Sequence, residues 1–431
     1  LRNIDMSGIG GLWIPCAASL TPWNTHLAGE EYEPNARQFE NEPLESMNLY
    51  LGTPGRKPAE GGATPYRYGH LVEVKVSPGG TAAVGKRYAM GRLSAELAEV
   101  MPDERTAYMG DDGRDTMLFM FVADRPRDLS AGSLYAARWE QLSADNGGSA
   151  NLKWIRLGHA REQDIQAMVD RGIRFSDIFE AATPTEFKAH PEQYKDFRPV
   201  FVYEGQGGRR APGSGAKQEV TYLKVKPGME QAAAFLESRR YGALLGATSE
   251  FTKMEGVTHN PEDRKLYVAM SYIEAGMLDG QNGERPQDHI RLKGDAKDLA
   301  CGAVYEGHLS GAQKDATGEA ISSDWVAATL QARILGAKKP FGQLEYGQYD
   351  SCDPDRMANP DNIKYSPEMR ALFIGEDSGM HLNNYLWVWS IDSGTLTRIF
   401  TTRTGTPTST TQTAITATTI PDVLIKTAAA F

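Results

Sequence analysis

The sequence is poor in cysteine and in clustered positive charge, and it has no long apolar run. Three cysteines among 431 residues are too few, and odd in number, for a framework in which every cysteine pairs within the chain. The net charge of −10 argues against a nucleic-acid surface, which needs clustered Lys and Arg. No apolar segment approaches the roughly 20 residues of a membrane-spanning helix. The composition indicates a chain with a sizeable core and an excess of carboxylates suited to loading cations.

Motifs of several enzyme classes are also missing. The chain has no Walker loop, no glycine-rich dinucleotide turn after a strand, no HExxH zinc motif and no paired CxxC. Glycine, by contrast, is abundant at 44 residues, and several short β-like runs are bounded by Gly, Pro, Asn and Asp. This pattern predicts a mainly β fold.

Three segments of the chain repeat one pattern. Each has a Pro, an Arg three residues later and then a short apolar run: "VMPDERTAYMGDD" (100–112), "HNPEDRKLYVAMS" (259–271) and "YSPEMRALFIGED" (365–377). Pro followed by acidic residues is typical of a turn, and the run after it is typical of a strand. Because a hairpin that recurs along a chain is typical of propeller blades, the repeats predict a β-propeller.

The repeats also carry polar residues at two matching positions. We call the position six residues before the Pro the first position; it is occupied by Glu96, Glu255 and Asp361. The second position lies ten residues after the Pro and is occupied by Asp112, Ser271 and Asp377. If the first positions face the propeller axis, their carboxylates converge at one end of the channel.

The stretch "WNTHLAGEE" aligns with "RALFIGED" and adds a fourth repeat. The alignment puts Glu31 at the second position and Cys16, to within one residue, at the first. A thiol and three carboxylates brought together would repel one another unless cations neutralise them. Thiolate suits a transition metal and clustered carboxylates suit Ca²⁺, so the repeats predict a mixed metal site.

A purely structural interpretation competes with this prediction. Acids near turns are usually solvated, and a lone cysteine is commonly a small buried hydrophobe. The register shared by Cys16, Glu96, Glu255 and Asp361 is the observation that favours a common site over four unrelated residues.

The residues of these repeats carry a resemblance to a known family. "CAASLTPWNTHLAGEEYEP", "GRLSAE…YMGDDGRD", "FTKMEGVTHNPEDRKLYVAMS", "CGAVYEG" and "ANPDNIKYSPEMRALFIGEDSG" resemble the PhoX-type alkaline phosphatases, from the start of the chain to about residue 402. The resemblance implies a six-bladed β-propeller, export by the twin-arginine route, and a cluster of two Fe³⁺ and three Ca²⁺ that hydrolyses phosphomonoesters.

The resemblance also implies roles for individual residues. The iron ligands fall on Cys16 and Glu96, and calcium-binding acids fall on Glu31 and Asp112; two further metal carboxylates fall on Glu255 and Asp361. Lys253 stands where the family has an arginine close to the bound phosphate, and it is the predicted catalytic residue. Lysine keeps the positive charge but loses the bidentate fork, which predicts weaker transition-state stabilisation or a different substrate range.

The resulting prediction is a single mainly β domain over residues 1–431, a six-bladed propeller with helical insertions at about 158–185 and 227–246. The short sequence before Cys16 and the Thr- and Ala-rich tail from Thr401 depart from the family pattern and suggest truncation at both ends. The predicted protein is a periplasmic or extracellular monomer that acts on small phosphomonoesters.

Two alternatives stay open: a Ca²⁺-dependent propeller hydrolase of lactonase or phosphotriesterase type, and a non-catalytic Ca²⁺-binding propeller. Cys16 separates them from a phosphatase, because a Ca²⁺-only site has no use for a thiolate.

Overall fold

The structure, a computed structural model, describes residues 3–206, 220–281, 285–339 and 350–402. All the predicted site residues fall within these ranges. Most of the Thr- and Ala-rich tail lies outside the described residues.

The structure is mainly β, as the sequence predicts. In chain order the strands are β1 (Pro15–Leu20), β2 (His26–Glu30), β3 (Val72–Val76), β4 (Ala82–Lys86), β5 (Ala98–Val100), β6 (Thr106–Met109), β7 (Arg114–Thr116), β8 (Phe119–Arg125), β9 (Asp128–Ser143), β10 (Ser149–Arg161), β11 (Phe179–Ala182), β12 (Arg198–Val200), β13 (Thr221–Val225), β14 (Phe251–Thr252), β15 (Met254–Asn260), β16 (Lys265–Met270), β17 (Ala303–Ser310), β18 (Val326–Leu335), β19 (Pro360–Ser366), β20 (Ala371–Glu376), β21 (Tyr385–Ser390) and β22 (Leu396–Thr401). The α-helices are α1 (Ala36–Phe39), α2 (Glu45–Leu51), α3 (Glu162–Asp170), α4 (Phe175–Ile178), α5 (Pro184–Ala189), α6 (Glu230–Leu236), α7 (Ser238–Leu244) and α8 (Ala296–Leu299).

Four antiparallel sets of four strands each resemble a propeller blade; we call them blade-like sheets, although two of them are parts of one larger sheet. Their strand orders are β1-β2-β3-β4, β5-β6-β8-β9, β15-β16-β17-β18 and β19-β20-β21-β22. Strand β10 pairs with β9 along most of its length and with β18 over three residues, which joins the second and third units into one nine-stranded sheet. Six blades are not confirmed by the part of the chain that the structure describes.

Burial follows the position of a strand in its blade-like sheet. In the fourth sheet every residue of β20 is buried, whereas the edge strand β22 is almost wholly exposed. A strand covered on both faces carries a nearly continuous apolar run, as "ALFIG" does in β20. In the fourth sheet, the strand that follows the repeated Pro and Arg pattern is therefore the fully buried one.

The two predicted helical insertions have different outcomes. Residues 227–246 contain α6 and α7, as predicted, with a break at Glu237. Residues 158–185 are helical only in part, because β10 continues to Arg161 and residues 179–182 form β11. Strand β11 pairs with β13, so a partner distant in sequence decides the conformation of a run too short for apolar spacing to resolve.

The sequence did not specify how the cysteines pair. Cys301 and Cys352 form a disulfide across 51 residues, and Cys16 is free. Within the described ranges, no helix combines the length and the apolar content needed to cross a membrane.

Candidate metal centre

Four hairpins end in the same backbone arrangement. In each, the N–H of the second-position residue donates to the carbonyl of the residue two before the first position. The pairs are Glu31 to Ile14 at 3.0 Å, Asp112 to Ser94 at 2.8 Å, Ser271 to Lys253 at 2.9 Å and Asp377 to Asn359 at 3.2 Å. Cys16 is therefore the structural equivalent of Glu96, Glu255 and Asp361, and the one-residue difference in spacing is absorbed within the first hairpin.

In three of the four hairpins, β-bulges turn the first-position side chain out of the regular strand alternation. The pairing register of β1 with β2 shifts between Pro15 and Ala18, on either side of Cys16. Matching shifts surround Glu255 in β15 and Asp361 in β19. Because an extra residue in one strand re-aims a side chain and bends the strand, these bulges allow side chains of separate hairpins to meet.

Glycines bring neighbouring hairpins into close contact. A Cβ added at Gly29 would lie 1.7 Å from the carbonyl oxygen of Ala95, and one added at Gly110 would lie 2.7 Å from that of Glu255. Gly29 N–H also donates to the carbonyl of Glu96 at 2.7 Å. The absence of a side chain at these two positions lets the backbone of one hairpin lie directly beside the site residue of the next.

The structure brings all six predicted metal ligands into one cluster. Three overlapping groups have donor atoms within 4.8 Å of one another: Cys16 with Glu31 and Glu96, Glu31 with Asp112 and Glu255, and Glu96 with Glu255 and Asp361. The five carboxylates are buried and Cys16 is half-buried. Their roles as metal ligands stay a prediction.

Burial and crowding shift the acid–base behaviour of the cluster. Burial, followed by a hydrogen bond with Asp112, raises the pKa of Glu31 to about 10. Burial and the charge of Asp112 raise the pKa of Glu255 to about 7. The pKa values of Glu96 and Asp361 are also raised, first by burial and then by neighbouring carboxylates. Without cations, the cluster therefore holds protons that exposed carboxylates would release.

Cys16 shares this environment. Its Sγ lies 3.4 Å from Glu96 Oε1. Burial, and then the charges of Glu31 and Asp361, raise the pKa of the thiol above its ordinary value. A thiolate at this position needs a positive charge beside it, which a bound metal would supply.

Lys253, the predicted catalytic residue, lies at the edge of the cluster. Its Nζ is 2.6 Å from Asp112 Oδ1, 3.0 Å from Glu255 Oε1 and 3.2 Å from Tyr32 Oη. Burial disfavours the ammonium, but Glu255 and Asp112 outweigh burial and raise its pKa. The same ammonium holds the pKa of Asp112 below its ordinary value, although burial of that carboxyl acts in the opposite direction.

The residue before the second position has a different task in three of the hairpins. There a buried carboxylate accepts hydrogen bonds that hold later segments of the chain. Asp111 accepts from Ser94 N at 2.9 Å and Met117 N at 3.2 Å and pairs with Arg239. Glu30 likewise accepts hydrogen bonds from backbone N–H groups and from Lys86. Glu376 accepts from backbone N–H groups and from the indole of Trp387. In each acidic pair, the first member is a structural residue and the second faces the cluster or lies beside it.

Sequence reasoning missed two residues that support the cluster. Tyr32 lies against Lys253, and its only sequence signal was its position directly after Glu31. Arg239, on the inserted helix α7, pairs with both Glu33 and Asp111 and lies 4.9 Å from the ring of Tyr203. Nothing in the local sequence distinguishes Arg239 from a solvated helix residue; its role depends on where α7 packs.

A family model for alkaline phosphatase PhoX matches residues 3–420 of the sequence. The chain belongs to the PhoX family. This assignment confirms the resemblance carried by the repeated segments, and the PhoX match spans all six clustered residues and Lys253.

A solved structure of a PhoX protein has a similar fold. PhoX of Pseudomonas fluorescens, described in complex with vanadate as a transition-state analogue, is 18% identical and has a TM-score of 0.52. The match covers 90% of this chain and 60% of the Pseudomonas protein. A match to a Trichoderma reesei carbohydrate-active enzyme of family AA12 covers 96% of this chain and 86% of the Trichoderma chain at 8% identity. Its TM-score of 0.29 is too low to indicate a shared fold. No curated protein sequence matches the chain.

The donor set of this PhoX-family chain fits bound cations. One oxygen each of Glu96, Asp112 and Glu255 is buried without a hydrogen-bond partner. A buried, unpaired carboxylate oxygen is costly unless a positive charge compensates it. The thiol and the carboxylates together offer both soft and hard donors, which suits more than one kind of metal.

Proposed function

We propose that this chain is a metal-dependent phosphomonoesterase of the alkaline phosphatase type that acts on small phosphomonoesters. The observation that carries the proposal is the mixed cluster, in which a thiol and five buried carboxylates meet in a member of the PhoX family. The vanadate complex of the Pseudomonas relative supports phosphoryl-transfer chemistry, since vanadate is described there as a transition-state analogue.

The proposed cofactors are two Fe³⁺ and three Ca²⁺. Cys16 and Glu96 would hold iron, because their 3.4 Å contact joins a soft donor to a carboxylate. The acids Glu31, Asp112, Glu255 and Asp361 would hold calcium or bridge between ions. When bound, these ions would supply positive charge to offset the charge that develops on the transferring phosphoryl group.

The protein groups in the proposed mechanism bind and orient. Lys253 would place its ammonium against a phosphate oxygen, and Asp112, Glu255 and Tyr32 fix the position of that ammonium. Unlike arginine, lysine makes a point contact, so we expect it to stabilise charge without clamping the phosphate. No described side chain is assigned as a nucleophile.

The proposal extends to architecture and location. The four blade-like sheets support a single-domain propeller, for which the family resemblance implies six blades. We propose a monomer exported to the periplasm or the extracellular space and without a nucleic-acid partner. The disulfide between Cys301 and Cys352 supports this location, because such bonds persist mainly in oxidising compartments.

The test is metal analysis combined with substrate profiling of one preparation. We expect iron and calcium to co-purify, and an aryl phosphomonoester to be hydrolysed faster than a phosphotriester or a lactone. Chelation should abolish the activity, and added Fe³⁺ and Ca²⁺ should restore it. Calcium without iron, with lactone or triester turnover, would favour the calcium-dependent hydrolase. Calcium without turnover of any of the three substrates would favour the non-catalytic propeller.

A further inference from the structure

The Lys253 ammonium is surrounded by oxygen atoms in the way a bound cation would be. Two carboxylate oxygens and one phenol oxygen lie between 2.6 and 3.2 Å from Nζ. Asp112 and Glu255, which provide the two carboxylates, also belong with Glu31 to a group able to hold a metal ion. The lysine nitrogen thus shares its partners with a candidate metal position.

The backbone fixes where this side chain begins. Lys253 has a φ of 53°, its N–H donates to the Gly113 carbonyl at 2.6 Å, and its carbonyl accepts from Ser271. The equivalent residues of the other hairpins are uncharged: Ile14, Ser94 and Asn359. A cation at this place is therefore a property of one hairpin and not of the repeated fold.

The ammonium leaves part of the negative charge uncompensated. Asp112 Oδ2 and Glu255 Oε2 are buried without partners, although the other oxygen of each carboxylate contacts Lys253. When both carboxylates are ionised, Asp112, Glu255 and the ammonium have a net charge of −1, and Glu31 adds a further acid to the same group. These oxygens have capacity for more positive charge than one lysine provides.

We infer that Lys253 is a built-in substitute for a metal ion, whose ammonium occupies a cation position between Asp112 and Glu255. This inference rests on the proposed function only in assuming that the cluster binds cations. An ammonium a few ångströms from a divalent ion repels it strongly in a buried site, so the lysine and a Ca²⁺ compete for these carboxylates. The chain should then bind one Ca²⁺ fewer than its carboxylates could hold.

The test is to titrate chelator-treated protein with CaCl₂ and to measure the stoichiometry and affinity of binding by isothermal titration calorimetry. Lys253→Met removes the charge and keeps a similar side-chain volume, and Lys253→Gln offers a polar, uncharged alternative if the methionine variant folds poorly. Lys265→Met is the matched control, because Lys265 also pairs with a glutamate, Glu306 at 2.9 Å, and is similarly exposed at 30% compared with 26% for Lys253.

We expect both Lys253 variants to bind one additional Ca²⁺ per chain, or to bind Ca²⁺ at least tenfold more tightly, while Lys265→Met matches the parent. Without calcium, both variants should unfold at a lower temperature than the parent, and calcium should reverse this order. Unchanged stoichiometry and affinity, or weaker binding, would overturn the inference. Failure of the proposed function is separate, since it would appear as absent phosphatase activity in the metal-loaded parent.

Discussion

Cys16 Sγ lies 3.4 Å from Glu96 Oε1, although 80 residues separate them in sequence. The contact exists because Cys16 occupies a bulge in its hairpin and because Gly29 allows the next hairpin to approach its backbone. Without a metal, a thiol and a carboxylate at this distance must share a proton, since two anions would repel. A bound cation would allow both groups to lose their protons, so the protonation of Cys16 and Glu96 should report metal binding.

The neighbours Asp111 and Asp112 should respond differently to the same substitution. Asp112→Asn removes a charge that faces the cluster, so calcium binding should weaken at least tenfold, or about 1.4 kcal/mol. Its ion pair is with the partly exposed Lys253, so its loss of stability should be smaller than that of Asp111→Asn. Asp111→Asn breaks a buried pair with Arg239 and should lower the free energy of unfolding by about 3–5 kcal/mol. Calcium titration and urea unfolding of both variants check the prediction.

Each variant serves as the control for the other, because the residues are adjacent and both are fully buried. A large loss of stability in Asp112→Asn, with calcium binding intact, would show that Asp112 is structural. Normal stability in Asp111→Asn would contradict the division of labour within the acidic pairs.

The repeated turn chemistry made a large part of the site predictable. Pro102, Pro261 and Pro367 mark the turns, and counting from them finds side chains that the structure brings together. Counting works because the four hairpins share one backbone arrangement. It also found the approximate position of Cys16 despite a one-residue offset.

The sequence could not separate structural acids from site acids. Glu30 and Glu31 have the same chemistry, and only the packing of distant backbone N–H groups around Glu30 distinguishes them. The helical prediction for residues 158–185 is wrong at 179–182, because these residues form a strand through non-local pairing with β13. Strand β10 pairs with both β9 and β18 and so joins two blade-like sheets, and no local sequence pattern predicts this pairing.

Metal-free protein should lose stability as the pH rises. The pKa values of Glu255 and Glu31 are about 7 and about 10, raised mainly by burial from an ordinary value of 4.5. Between the ordinary and the raised values the folded state binds more protons than the unfolded chain. The stabilisation is therefore complete below pH 4.5 and is lost as the pH rises through 7 and then 10.

Thermal unfolding from pH 5 to 9, with chelator and with excess Ca²⁺, measures this effect. The melting temperature should fall with pH only in the chelated protein, because calcium takes over the neutralising role of the protons. Glu31→Gln should reduce the fall above pH 7. Equal slopes with and without calcium would rule out cation binding by these carboxylates.

Replacement of Lys253 should affect turnover more than folding. Lys253→Ala should lower kcat/KM for an aryl phosphate, and the corresponding loss of transition-state stabilisation should be about 2–4 kcal/mol, the scale of losing one charge-stabilising donor. Lys253→Arg should retain or raise activity, because it restores the bidentate fork. Steady-state kinetics of the metal-loaded variants check both expectations, and an alanine variant as active as the parent would remove Lys253 from the mechanism.

Variants of Cys16 separate a metal ligand from a small buried hydrophobe. If Cys16 only packs, Cys16→Ala should cost a modest amount of stability and leave turnover nearly intact. If it binds iron, Cys16→Ser replaces a soft anionic donor by a hydroxyl that stays protonated near neutral pH, and iron content and phosphatase activity should fall together. The sheets should survive, since Cys16 belongs to none of the large apolar clusters that form the core. Iron content, activity and circular dichroism are measured on the same preparation, and normal iron with full activity in Cys16→Ala would exclude the thiolate as a ligand.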